Sequence, residues 1–246
     1  MQTLDNSTQD QTQEITALSS DDVYELLFRN NLLTSSVQWD LIKKWETLIG
    51  QINQQINLIS RKDWNSIWEK QVLHCLSLLS VWKTTPGMEI CDFGSGGGLP
   101  GVLLAIVCPD LKITMIDATQ KKVKVIRQLI TDLGLTNAEM VAGRGEDLGK
   151  TPDYAQKFAL IVCRAVSTLG NLELWTRDLR APQSSLYVYK GGDLTQEMAE
   201  LSQCRNLKFI KKYPLTLEGY SGFDEQEKVI VQLSFSNKKN KPRSLH

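Results

Sequence analysis

Between Glu89 and Gly101 the chain reads EICDFGSGGGLPG, a short apolar strand running into a glycine loop at the start of a helix. Gly94, Gly96, Gly97 and Gly98 permit positive φ and close backbone approach, which marks a nucleotide-cofactor site. A helix beginning near Pro100 would aim free N–H groups and a positive dipole end at the loop's contents. Two glycine frames fit. Gly96, Gly98 and Gly101 satisfy G-x-G-x-x-G, the dinucleotide fingerprint, with Asp117 about 20 residues further on as its ribose ligand. The other frame is Asp92-x-Gly94-x-Gly96. Asp92 decides for the second, because a carboxylate ahead of the loop repels a pyrophosphate and suits an ammonium and a sulfonium. S-adenosylmethionine carries both cations. Pro100 agrees, since it offers no N–H to an anion.

Other residues at predicted strand ends complete the constellation. Asp117 closes the second strand, where a carboxylate can accept both ribose hydroxyls. Arg144-Gly145-Glu146 follows the third, placing a backbone N–H and an acidic side chain at the edge of an adenine. Arg164 and Lys190 follow the fourth and fifth, at the reactive end. Two cations beside a sulfonium call for an intervening anion, and a substrate phosphate backbone is one. The histidines are His74 and His246 alone, so no Ser/His/Asp triad or His-rich metal site is assembled. After the fourth strand stands Cys163-Arg164-Ala165 rather than the Asn-Pro-Pro-Tyr type of signature found in amino-methylating enzymes. Guanine N7 already presents an in-plane lone pair and loses no proton on alkylation, so it needs alignment rather than a base.

Composition narrows the classes. Lys plus Arg and Asp plus Glu number 28 each, so nucleic acid would be met by local basic patches rather than a global field. Cys75, Cys91, Cys108, Cys163 and Cys204 lack Cys-x-x-Cys spacing and suit reduced thiols in the cytoplasm, without a disulfide or a structural metal. The longest apolar run, Val102 to Cys108, is too short to span a bilayer.

The elements that must hold this site follow from periodicity. Residues 1–18 are polar and predict a disordered tail; residues 237–246, with Lys238, Lys239, Lys241 and Arg243, form a basic C-terminal tail. Residues 19–85 predict a helical N-terminal lobe with helices over Asp21 to Leu33, Ser35 to Asn53 and Asp63 to Trp82. In the middle helix Val37, Leu41, Trp45, Leu48 and Ile52 share the expected buried face. The tryptophans of this lobe are assigned to packing. Residues 86–236 predict a Rossmann-like α/β core, with strands near Glu89 to Phe93, Lys112 to Asp117, Ala138 to Val141, Ala159 to Cys163 and Leu186 to Lys190. A helix over Lys121 to Leu133 and a late antiparallel pair near Leu207 to Leu215 and Lys228 to Phe235 complete it.

The motifs, in this order, resemble the RsmG (GidB) family of bacterial methyltransferases that modify guanine N7 in 16S ribosomal RNA. Asp92 to Gly101 is similar to the family's D-x-G-[ST]-G-x-G-x-P-G. Asn57-Leu58 resembles its Asn-Leu-Thr segment with Ile59 in place of Thr, and His74 its Arg-His-x-x-Asp-Ser histidine with Ser77 in place of Asp. Asp117 with Lys121-Lys122-Val123, Arg144-Gly145-Glu146, Cys163-Arg164-Ala165 and Tyr189-Lys190-Gly191 match in turn, with Gln120 where Gly precedes the Lys pair. The resemblance implies that Gly94, Leu99, Gly145, Glu146 and Arg164 line an S-adenosylmethionine pocket, with Arg164 and Lys190 near the RNA. The expected cofactor-binding set is therefore Asp92, Gly94, Gly96, Gly98, Leu99, Asp117, Gly145, Glu146 and Arg164. Arg164, Lys190 and His74 are the substrate-side candidates. The expected protein is a cytoplasmic monomer acting on 16S rRNA or a small-subunit precursor. The alternatives are a methyltransferase with another acceptor and a noncatalytic, possibly NAD-linked, nucleotide-binding module.

Overall fold

The computed structural model describes residues 17–201, 204 and 206–236, so residues 1–16 of the expected tail and the whole basic run after Ser236 lie outside it. Seven strands form one sheet: β1 (Glu89–Phe93), β2 (Lys112–Asp117), β3 (Ala138–Ala142), β4 (Phe158–Arg164), β5 (Arg180–Gly191), β6 (Leu207–Pro214) and β7 (Lys228–Phe235). Their order is β3-β2-β1-β4-β5-β7-β6. β1 to β5 run parallel, and β7 pairs antiparallel with both β5 and β6. The order reverses between β1 and β4, which is where a doubly wound sheet opens a crevice beyond its strand ends.

Buried strands need apolar side chains on both faces, and Ile90, Cys91, Ile161 and Val162 are each fully buried. The N-terminal lobe covers one face. It contains α1 (Ser20–Arg29), α2 (Ser36–Asn53) and α3 (Arg61–Trp64), then a π-helical turn over Trp68–Leu73, α4 (His74–Leu76) and α5 (Leu78–Val81). Ser19 and Asp22 form a capping box at α1, and the Ser35 hydroxyl caps α2. Val23, Leu27 and Trp45 of the lobe share one core with Ile90, α6 (Gly101–Val107) and α7 (Gln120–Leu133). Gly134 ends α7 in the left-handed conformation that the C-cap demands. α8 (Gly145–Leu148), α9 (Leu169–Thr176), α10 (Thr195–Glu200) and α11 (Gly222–Glu225) complete the chain.

The parallel strands and the late hairpin fall within two residues of expectation, except that β5 starts at Arg180. Two readings of the lobe are corrected. In α2 the buried face is Trp39, Ile42, Trp45 and Ile49, while Val37 is 67% exposed. The helix expected over Asp63 to Trp82 is interrupted after Trp64, and its remainder winds as a π-helix over Trp68–Leu73 before α4 and α5.

Candidate functional site: a slot and a cleft

Two cavities lie along the carboxyl ends of the strands. The first, of ≈ 210 Å³, is lined by Phe93, Gly94, Asp117, Gly145, Glu146 and Trp175 among others. The second, of ≈ 480 Å³, is lined by Glu69, Lys70, His74, Arg164, Lys190 and Lys228 among others. Ala165 borders the second and Val166 the first, so β4 and its following loop divide them.

The slot is shaped by glycine at positions where a side chain has no room. A Cβ on Gly145 would stand 2.1 Å from the Phe93 ring, and one on Gly94 2.7 Å from Val166. Gly94, Gly96 and Gly98 take positive φ as expected; Gly97 does not. Gly97 instead lies under the 54–60 loop, where its Cβ would meet Leu58 at 3.4 Å. The Asn53 amide fixes that loop by accepting from the N–H groups of Leu58 and Ile59 and donating to the Ile59 carbonyl. The lobe thereby reaches the glycine loop.

The loop's polar groups are arranged differently from expectation. The Gly101 N–H does not point at a ligand: it donates to Asp92 Oδ2 at 2.8 Å. Asp92 is fully buried beneath the loop rather than facing a cleft, and its Oδ1 has no partner among the described residues. Burial raises its carboxyl to about 7, against the opposing pull of the Gly101 hydrogen bond and Arg164. Asp117 Oδ2 accepts from Gly96 N–H at 2.9 Å and Oδ1 from Thr119 N–H at 2.8 Å. Two carboxylates thus hold the N–H groups that a pyrophosphate would require, which disfavours the dinucleotide frame. A cationic ligand fits this donor-poor, acceptor-rich loop. The half-buried Asp117 and Glu146 line the slot with carboxylates, and the Asp92 carboxyl lies buried behind the loop with its Oδ1 unpartnered among the described residues.

The expected residues separate into three groups. Gly94, Asp117, Gly145 and Glu146 line the slot; His74, Arg164 and Lys190 line the cleft. Asp92, Gly96, Gly98 and Leu99 line neither, and the last two are buried behind the loop. Phe93, Val166 and Trp175 of the slot went unrecognised, because an apolar wall carries no spacing signature.

In the cleft Arg164 donates to the Lys70 carbonyl at 3.2 Å and to the Gln71 side-chain oxygen, which binds the end of β4 to the π-helical turn. Lys190 is not a free cation awaiting RNA. Its ammonium bonds Glu197 at 2.7 Å and the Ser167 carbonyl at 2.9 Å, so the neutralising anion comes from α10. His74 packs edge-on to Tyr189 and against Phe223, with Nε2 sealed from solvent and unpartnered. Burial, with Arg164 and Lys228 adding to it, pushes its pKa down to about 3, so the ring is neutral at physiological pH. Among the described residues no carboxylate bonds the His74 ring; the Ser77 hydroxyl donates to the His74 carbonyl. All five cysteines are free.

A doubly wound sheet with a cation-favouring glycine loop and a slot at its switch point defines a Rossmann-like, S-adenosylmethionine-dependent methyltransferase. A methyltransferase from Geobacter sulfurreducens has the same fold, with a TM-score of 0.51 over 78% of this chain and 90% of that one at 16% identity. Residues 38–220 match the family of rRNA small subunit methyltransferase G (GidB), and the chain belongs to that family. The ribosomal RNA small subunit methyltransferase G of Chlorobium limicola is 31% identical over 89% of this chain and 97% of its own length. That of Phocaeicola vulgatus is 34% identical over 78% and 86%. No helix among the described residues is long and apolar enough to cross a membrane, and none of their side chains cluster as a metal site.

Proposed function

We propose that the protein transfers a methyl group from S-adenosylmethionine to N7 of a guanine in 16S ribosomal RNA. The single observation that carries this reading is the pair of adjoining cavities at the strand ends, one lined by Asp117 and Glu146 with an apolar wall and the other bordered by Lys70, Arg164, Lys190 and Lys228. Membership of a family described by its small-subunit rRNA substrate supports the acceptor.

Glu146, Asp117 and Trp175 would hold the adenosyl end, and the buried Asp92 carboxylate would favour the positive charge from behind the glycine loop. When bound, the cofactor supplies a methyl carbon: the N7 lone pair forms the new bond, the C–S electrons remain on sulfur, and the charge passes to the base without loss of a proton. No base is needed, which agrees with a His74 that is neutral, packed between aromatic rings and distant in role from proton transfer. The protein's work is alignment and exclusion of water. The protein acts as a cytoplasmic monomer on 16S rRNA or on the small-subunit precursor, and residues 19–85 serve as the lobe that closes the acceptor side.

Nucleoside mass analysis of 16S rRNA from cells lacking the gene tests the reading. N7-methylguanosine at one position should disappear and return on complementation. An unchanged level would refute it.

A further inference from the structure

We propose that Glu69, on the π-helical turn, reads the N1–H and N2–H edge of the acceptor guanine in the cleft. The inference rests on the guanine-N7 reading above and adds the group that selects the base.

Most charges of the cleft are already committed. Asp63 holds Lys70 at 3.1 Å and accepts from the Ser60 hydroxyl at 2.7 Å. Lys190 is paired with Glu197, and Arg164 is held by the Lys70 carbonyl and Gln71. Glu69 is different: Oε1 accepts from the Tyr220 hydroxyl, while Oε2 has no partner among the described residues. Lys228 likewise makes no ion pair there, and both residues line the cleft. Among the described residues the Glu69 carboxylate is therefore left without a cation, and Arg164 and Lys228 without a carboxylate.

That remainder matches guanine. Its Watson–Crick edge presents an acceptor, O6, beside two donors, N1–H and N2–H, and a carboxylate accepts both donors at once. Adenine would set its N1 lone pair against the carboxylate, so the same arrangement rejects it. One wall of the cleft is aromatic: Tyr189 and His74 pack edge-on at a centroid separation of 5.1 Å, and Phe223 lies tilted against His74 at 5.6 Å. The sealed, unpartnered His74 Nε2 lies in this same wall. Methylation at N7 makes the base cationic and its N1–H a stronger donor. The Glu69 contact consequently tightens as charge develops and acts on turnover as well as on binding.

The π-helical turn supplies the placement. Its wider winding presents Glu69 to the cleft while Lys70 and Gln71 grip Arg164. Tyr220, from the isolated bridge with Leu217, orients the carboxylate.

The test uses reconstituted small-subunit particles whose 16S rRNA carries guanine or inosine at the methylated position. Inosine lacks only the N2 amine. The wild-type protein should prefer guanine in kcat/KM by about 10- to 100-fold, the usual worth of one hydrogen bond to a charged group. Glu69→Gln keeps an oxygen for Tyr220 but opposes a donor to the base; it should lose that preference while binding S-adenosylhomocysteine and melting as the wild type does. Tyr220→Phe should retain most of the preference. Equal use of both bases by the wild type, or an undiminished preference in Glu69→Gln, overturns the proposal alone. Absence of any N7-methylguanosine with wild-type protein and guanine overturns the underlying function as well.

Discussion

The Asp92 carboxylate accepts the Gly101 N–H at 2.8 Å and keeps its second oxygen buried without a partner. An unpaired oxygen in a dry site is costly when charged, which is why burial raises this carboxyl to about 7. A bound cation restores the charged form. Cofactor binding should therefore release a proton near neutrality, and affinity should rise with pH. Calorimetric titration of S-adenosylmethionine should give about tenfold tighter binding at pH 8 than at pH 6, the ratio of ionised fractions about a pKa of 7. In Asp92→Asn the same titration should show weaker binding with no such trend. Equal affinities at both pH values in the wild type would refute the role.

His74 and Asp92 should also have opposite effects on stability. Below its unfolded value of 6.5, an unfolded His74 takes up a proton that the folded ring, held at about 3, refuses; this stability is lost as pH falls. Asp92 runs the other way. Above 3.8 its unfolded carboxyl ionises while the folded one stays protonated up to about 7, so stability is lost as pH rises through that window. Around pH 5 the two slopes nearly cancel, each about 1.4 kcal/mol per pH unit. Urea unfolding of Asp92→Asn should become steeper, losing stability toward pH 5, whereas His74→Phe should gain stability in that direction. Parallel curves for both variants would contradict the assignment.

Gly145 meets the Phe93 ring so closely that an added Cβ would lie 2.1 Å from Cε2. Gly145→Ala must displace the ring or the α8 backbone, at about 1–3 kcal/mol. Because Phe93 and Gly145 both line the slot, the loss of thermal stability should come with weaker S-adenosylhomocysteine binding. A variant that melts earlier but binds normally would place the strain outside the slot.

The sequence carried the sheet and the loop, and lost what only tertiary contact assigns. β1 and β2 were legible to the residue because buried parallel strands are short apolar runs bounded by turn residues. β5 was not: RAPQSS at its start is polar, and Arg180 belongs there because Glu173 holds it at 2.9 Å and Phe235 lies beneath it at 3.5 Å. In α2 both candidate faces share Trp45, and packing against α6 and α7 chose Trp39, Ile42 and Ile49 over Val37. Around the site, Gly94, Asp117 and Glu146 follow strands and could be placed by counting. Glu69, Gln71 and Glu197 sit on short or irregular helices whose only signature is the partner they reach.

Glu197 exemplifies the consequence. Lys190 and Glu197 side chains are 15% and 24% exposed, so this pair is largely withdrawn from water, and the carboxylate also accepts the Leu169 N–H at 2.7 Å. Glu197→Ala strands an ammonium and a backbone donor at the same time, and should cost about 2 kcal/mol in urea unfolding. Adding Lys190→Met should recover part of that loss, since an uncompensated charge is worse than none. A double variant less stable than Glu197→Ala would show that Lys190 has another anion.

Arg164 offers the sharpest separation of fold from activity. Its guanidinium joins β4 to the π-helical turn through the Lys70 carbonyl and Gln71, yet it lies outside both buried cores. Arg164→Ala gives up hydrogen bonds worth about 1 kcal/mol each and leaves the amide oxygen of the buried Gln71 unsatisfied, so melting should fall by only a few degrees. Turnover should fall further, by about 100-fold, because the π-helical turn carrying Glu69 and Lys70 into the cleft loses its anchor and a displacement of order 1 Å suffices. Arg164→Lys keeps the charge but not the fork that spans two acceptors, and should recover little. Arg164 itself does not line the slot, which β4 reaches only through Val166, so S-adenosylhomocysteine should bind either variant nearly as well as the wild type. Near-wild-type turnover in Arg164→Ala would remove this residue from the acceptor cleft's working parts.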